Sequence, residues 1–140
     1  MTYESYIKAR LVDFMVSEAF NSGGVEPMLA VGQVLANRVK AGWQGGDWYR
    51  VIKTARNYCG TIQPDTDVDP KDGSFRELLR RVDDVYHGTA DDTNVNNGSG
   101  NSLYYAEMHN INREWFTEHI TSDLESHPRL ATVGQLTFFG

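Results

Sequence analysis

The stretch Glu26-Pro27-Met28-Leu29-Ala30-Val31-Gly32-Gln33-Val34-Leu35-Ala36-Asn37-Arg38-Val39 decides how this chain must fold. Pro27 suits the first turn of a helix, where its missing N–H would have no intrahelical partner. From Met28 to Val39 or Lys40 nearly every residue is small or apolar. A helix that is apolar all round has no face to offer water, so it belongs at the centre of a core. The remainder of the chain has to supply its cover.

On the N-terminal side, Tyr3, Ile7, Leu11, Phe14 and Met15 recur at helical spacing as far as Phe20, with Thr2 placed to cap the start. The cluster Asn21-Ser22-Gly23-Gly24 ends that helix. On the C-terminal side, a turn around Gly42 to Gly46 leads to a short helix over residues 48–56. Residues 59–73, rich in Asp, Pro and Thr and without periodicity, read as a loop. Ser74 with Glu77 makes a capping box for a helix from Phe75 to about His87, ended by Gly88. Residues 88–101 form a polar Asn/Asp/Gly loop. Residues 103–106 and 136–139 read as short strands, and residues 112–122 as a helix. There is no internal repeat and no linker. The expected fold class is α+β, mainly α-helical: one domain over residues 1–140, with a small antiparallel β-sheet formed late in the chain.

Composition bounds the function. At 140 residues the chain buries roughly two-thirds of its unfolded surface, enough for one core. The 13 basic and 19 acidic residues give a net charge of −6. That balance argues against a sequence-independent nucleic-acid binder, whose affinity rests on Lys and Arg at phosphates, and against docking on an anionic bilayer. The single cysteine, Cys59, excludes an internal disulfide and a Cys-rich zinc site. No apolar run approaches the ~18 residues of a membrane span, and the N-terminus has no signal-peptide pattern. The expectation is a protein made in the cytoplasm.

Among candidate chemical groups, Glu18 stands in the last turn of the first helix, before a Gly-rich break. The C-terminal end of a helix disfavours a second negative charge, and burial beside Phe14 acts in the same direction. A carboxyl that holds its proton is what a general acid needs. Position alone favours an ordinary surface Glu on an amphipathic helix. Asn37 and Arg38 read as structural hydrogen-bonding groups that hold adjacent loops. Tyr104, Tyr105 and Trp115 offer flat faces with polar edges that suit sugar rings, or simply fill a core. Asp65-Thr66-Asp67-Val68-Asp69 begins like a calcium loop, but Pro70 stands where glycine is required and Arg76 where a bidentate Glu is required. The histidines, His87, His109, His119 and His127, show no zinc spacing. No metal and no cofactor is expected.

Taken together, these residues resemble the spore-cortex-lytic (SleB-type) family of cell wall hydrolases, also encoded by phages. Three segments carry the likeness. Ser17-Glu18-Ala19 followed by residues 26–39 is similar to that family's Glu-Ala start and its Glu-Gly-x-x-Ala-Val-x-x-Val-x-x-Asn-Arg-Val helix. Tyr104-Tyr105 with the later Trp115 is similar to a Tyr-Tyr strand followed by Trp. Val133-Gly134-Gln135-Leu136-Thr137-Phe138-Phe139 resembles a closing Ile-Gly-x-His-x-Phe-Tyr. The departures are a longer loop after Glu18, Leu103 in place of Thr, and Leu136 in place of His.

The resemblance implies a lysozyme-like, lytic transglycosylase-like domain that cleaves the MurNAc–GlcNAc β-1,4 bond of peptidoglycan, with Glu18 as proton donor and then base. The muramic C6 hydroxyl would attack and leave a 1,6-anhydro end. It also implies Tyr104, Tyr105 and Trp115 as substrate-binding residues and Asn37 and Arg38 as structural support. Two alternatives stand beside it: a muramidase-type hydrolase that uses water and needs a second carboxylate, for which Glu26 and Glu107 are the candidates, and a non-catalytic glycan-binding or virion structural domain. The expected partner is the glycan strand, met by a monomer, without nucleic acid or membrane insertion. The expected site of action is the cell wall, after release or as part of a virion.

Overall fold

Helix α1 (Tyr3–Ala19) and helix α2 (Val25–Lys40) form a helical hairpin, joined by residues 20–24. In this computed structural model the described residues are 2–58, 68–90, 92–98, 100–107 and 114–140. Of the loop expected over 59–73, residues 59–67, with Cys59, Asp65 and Asp67, lie outside them, as does the start of the helix expected from Asn112. A 3-10 turn at Trp43–Gly46 leads into α3 (Trp48–Tyr58), and α4 (Gly73–Tyr86) completes the helical layer.

Every α2 residue from Pro27 to Asn37 is buried, as its all-round apolar character demands. Gly32 shows how tightly its neighbours close. A Cβ there would lie 2.4 Å from Met15 Sδ and 2.6 Å from Val85 Cγ1, so α1 and α4 meet α2 where it has no side chain. Thr2 caps α1 by accepting from the Ser5 amide at 3.1 Å. Helix α2 starts at Val25, earlier than Met28, and α3 runs two residues beyond Arg56. The cap of α4 is Asp72 rather than Ser74. Its carboxylate accepts from the Ser74 and Phe75 amides at 2.9 and 3.1 Å, and a full negative charge serves a helix N-terminus better than a hydroxyl.

The polar loop at 88–101 contains a two-stranded hairpin, β1 (Asn96–Asn97) with β2 (Gly100–Asn101). The chain continues through β3 (Tyr104–Glu107), α5 (Glu114–His119), β4 (Arg129–Val133) and β5 (Leu136–Phe139). The last three strands form an antiparallel sheet in the order β3-β5-β4. All four β5 residues are buried. Leu136 and Phe138 join the main helical core, while Phe139 joins a smaller cluster with Ala106, Phe116 and Ile120. The sheet therefore divides two apolar layers, and its two faces have different neighbours. The fold is mixed α+β and mainly helical, with its small antiparallel sheet late in the chain. No helix among the described residues is long and apolar enough to cross a membrane.

Two ion pairs tie α4 to its surroundings. Arg81 bonds both carboxylate oxygens of Asp92, at 2.9 and 3.1 Å, and Lys8 of α1 bonds Asp83. The Arg81 guanidinium holds the Asp92 carboxyl below the usual carboxylate range, and the Lys8 ammonium does the same for Asp83. A carboxylate whose folded pKa is lowered stabilises the fold above its unfolded value, about 3.9. That contribution disappears as pH falls through the lowered value. Asp92→Asn is therefore expected to lower the melting temperature slightly at neutral pH and to flatten its decline below about pH 4. A wild-type and variant pair with parallel acid limbs in a pH-melting series would contradict this assignment.

Candidate functional site

Glu18 lies in the last turn of α1, where no basic residue offsets the negative end of the helix. Phe14 and Met15, one turn earlier, are buried, while Glu18 itself is half-buried. Its carboxylate has a specific partner from the sheet: the Tyr105 hydroxyl donates a hydrogen bond to Oε1. The Tyr105 ring packs 5.8 Å from Phe138, its register partner on β5, which fixes where the hydroxyl reaches.

Alternation along β3 sorts the remaining candidates. Tyr105 and Glu107 share one face, and Tyr104 and Ala106 the other. Tyr105 packs on the main core, and Tyr104 packs on the smaller cluster. Glu107 thus stands about 7 Å along the strand from Tyr105, on the face turned to Glu18. Leu136 is its register partner on β5. The position where the resembling family carries His therefore places a fully buried leucine beside Glu107. Glu26, the other carboxylate considered, is exposed in the first turn of α2.

Two contacts hold the helical end against the sheet. The Gln135 amide donates to the Ser22 carbonyl at 2.9 Å, which joins the β4–β5 turn to the loop that follows Glu18. Gly134 in the same turn has φ +57°, and a Cβ on it would fall 2.0 Å from Ser22 O. At the opposite end of α2, Asn37 Nδ2 donates to Asn96 Oδ1 at 2.6 Å and to Ser102 O at 2.8 Å. Arg38 Nε donates to Leu103 O at 2.9 Å. Ser102 Oγ in turn donates to Phe139 O at 2.9 Å. Asn37 and Arg38 thus connect α2 to the segment that enters β3 and place that strand relative to α1.

The structure brings Glu18 and Tyr105 together. It sends Tyr104 elsewhere, into a group with Trp43 (ring centroids 5.5 Å apart), His127 (5.2 Å) and the Arg38 guanidinium (5.9 Å). Trp115 stands half-exposed on α5, stacked on His119 at 4.7 Å. Sequence reasoning did not connect Trp43 or His127 to Tyr104. The strict alternation in Tyr104-Tyr105-Ala106-Glu107 was the available signal that the two tyrosines part company. Among the described residues, the donor atoms of Glu4, Asp83 and His87 come within 4.8 Å of one another, but all three are on the surface and Lys8 already bonds both carboxylates. That group is an ion-pair cluster. No family model, no curated protein and no solved structure matches this chain.

Proposed function

We propose that this protein cleaves the glycan strand of peptidoglycan at the MurNAc–GlcNAc bond, with Glu18 as the acid and then the base, in a lysozyme-like arrangement of helical layer and small sheet. The supporting observation is the placement of Glu18: half-buried, at the negative end of α1, and held by a tyrosine from the facing sheet.

That placement matches the needs of the reaction. The Tyr105 hydroxyl engages Oε1 and fixes the carboxyl in one orientation. The other carboxyl oxygen, Oε2, is assigned to the substrate. In the first step the Glu18 carboxyl passes its proton to the glycosidic oxygen as the C1–O bond breaks. The resulting carboxylate keeps the Tyr105 hydrogen bond, which is stronger to a charged acceptor than to a neutral one. The carboxylate then takes the proton of the attacking hydroxyl: the muramic C6 hydroxyl in a lytic transglycosylase, or water in a hydrolase.

One observation favours the water route as a second reading. Glu107 stands on the same sheet face as Tyr105, so a second carboxylate is on the correct side of the sheet to direct water or to steady positive charge at C1. Digestion of purified peptidoglycan followed by mass spectrometry tests both routes. Anhydro ends, with Glu107→Gln still active, establish the transglycosylase. Reducing ends that disappear in Glu107→Gln establish the hydrolase. Binding to peptidoglycan with no released fragment would leave only a glycan-binding domain and sink the proposal. Tyr105→Phe, which removes one hydrogen bond from the carboxylate, is expected to slow cleavage about tenfold without changing the products.

A further inference from the structure

Asn97-Gly98 is the only asparagine–glycine pair in the sequence, and it stands where β1 turns toward β2. Its chemistry is independent of glycan cleavage at Glu18. The side-chain amide of an asparagine can be attacked by the backbone nitrogen of the residue that follows it. Glycine permits the approach best, because it has no Cβ in the way and the widest backbone freedom.

The fold leaves the attacking atom open. Asn97 and Gly98 are both exposed, and the Gly98 N–H makes no hydrogen bond among the described residues. The other asparagines followed by a small residue differ on this point. After Asn21, Ser22 is buried and its amide donates to Ala19 O at 3.0 Å. After Asn101, Ser102 is buried and its amide donates to Val95 O at 2.9 Å.

The hairpin itself is weakly held. Its register is two residue pairs, Asn96 with Asn101 and Asn97 with Gly100, and so small a hairpin is marginal on its own. Gly98 does not have the positive φ that a type I′ or II′ turn requires at its first central position, and those are the turns whose twist suits a two-residue connection. The Asn97 amide Nδ2 donates to Asn94 O and to Leu130 O, the second contact tying the hairpin to β4. Both bonds are 3.3 Å long, beyond the usual range. Opening the tip so that Gly98 N can reach Asn97 Cγ therefore costs little.

We propose that Asn97 is a self-modification site, which deamidates in the folded protein and thereby releases the hairpin from β4. Gly98 N gives its proton to solvent base and bonds to Asn97 Cγ. The Cγ–Nδ2 bond breaks, and Nδ2 takes a proton from water and leaves as ammonia. Water then opens the resulting succinimide ring. Opening at Cγ gives aspartate, and opening at the main-chain carbonyl carbon gives isoaspartate, whose chain runs through Cβ and Cγ. One water is consumed, one ammonia is released and nothing is oxidised. Either product replaces the Nδ2 donor with a carboxylate, which cannot donate to Leu130 O. Isoaspartate also lengthens the main chain beside Asn96, whose amide is bonded to Asn37.

Incubation of the folded protein at mildly alkaline pH, followed by trypsin cleavage and mass spectrometry with electron-transfer fragmentation, tests this. Asn97 is expected to convert before any other asparagine, at a rate within about tenfold of that in the urea-unfolded chain. Gly98→Ala is expected to slow the conversion by about fivefold or more. The added Cβ meets no atom within 4 Å, so the fold is retained. Asn97→Asp, which makes one product directly, is expected to melt about 3 °C below wild type. Four results overturn the proposal: conversion at Asn97 confined to the unfolded chain; another asparagine reacting first; an equal rate in Gly98→Ala; or Asn97→Asp melting with wild type, which would show that no tether to β4 is lost.

Discussion

Replacing Glu18 by Gln is expected to slow the clearing of purified peptidoglycan by about 10²- to 10⁴-fold, the range that general acid–base groups contribute, and to leave the melting temperature unchanged. The two halves of this expectation come from different properties of one residue. Gln matches Glu in shape and keeps an oxygen for the Tyr105 hydroxyl, so the bond between α1 and β3 survives. It also places no charge at the negative end of α1, where negative charge is unfavourable, so stability has no reason to fall. What Gln cannot do is release a proton to the glycosidic oxygen or take one back. Turbidity loss at equal rates by wild type and variant would show that Glu18 is not the acid. Loss of activity accompanied by a lowered melting temperature would show that its role is structural. Tyr105→Phe serves as an internal scale, since its smaller effect should appear in rate alone.

The parts of this fold that were readable in advance share a physical reason. Helix α2 has no polar face, so its central position followed from residues 26–39 alone, and Thr2 needed only its own neighbours to act as a cap. What escaped depends on partners distant in the chain. Strand β4, Arg129–Val133, has little alternation and is half-exposed, and it is a strand because it pairs with β5. Asp72 displaced Ser74 as a cap because charge outweighs the capping-box pattern at that terminus. The site divides in the same way. Glu18 was visible as a carboxyl at a helix end, but its bond to Tyr105 spans 87 residues. Asn37 was visible as a polar group in an apolar helix, yet its partners Asn96 and Ser102 lie 59 and 65 residues away. Tyr104, Tyr105 and Trp115, grouped by nearness in sequence, were separated by the two-residue period of a strand and by a change of element.

Gly134→Val tests the contact that joins the two halves of the site and carries the largest expected stability effect, about 3 to 6 kcal/mol. Three costs combine. A β-branched residue at φ +57° pays about 1–2 kcal/mol for the left-handed conformation. The new Cβ would stand 2.0 Å from Ser22 O and 2.6 Å from Pro27 Cγ, so the β4–β5 turn must move away from the loop after Glu18, with repacking strain of about 1–3 kcal/mol. That movement breaks the hydrogen bond from Gln135 N to Ser22 O, worth about 1 kcal/mol. Against a total stability of roughly 5–15 kcal/mol for an ordinary domain, the melting temperature should drop by roughly 10 °C or more. Gly98→Ala is the matching control. No atom lies within 4 Å of its added Cβ, so it should stay within about 0.5 kcal/mol of wild type. The consequence extends beyond stability. The same turn leads into β5, whose pairing with β3 sets where Tyr105 reaches, while Ser22 lies in the short loop that follows the helix carrying Glu18. Folded Gly134→Val protein, assayed well below its melting point, should therefore lose peptidoglycan clearing as well. A variant that melts early yet cleaves at the full wild-type rate would show that this turn stabilises the fold without positioning the Glu18–Tyr105 pair.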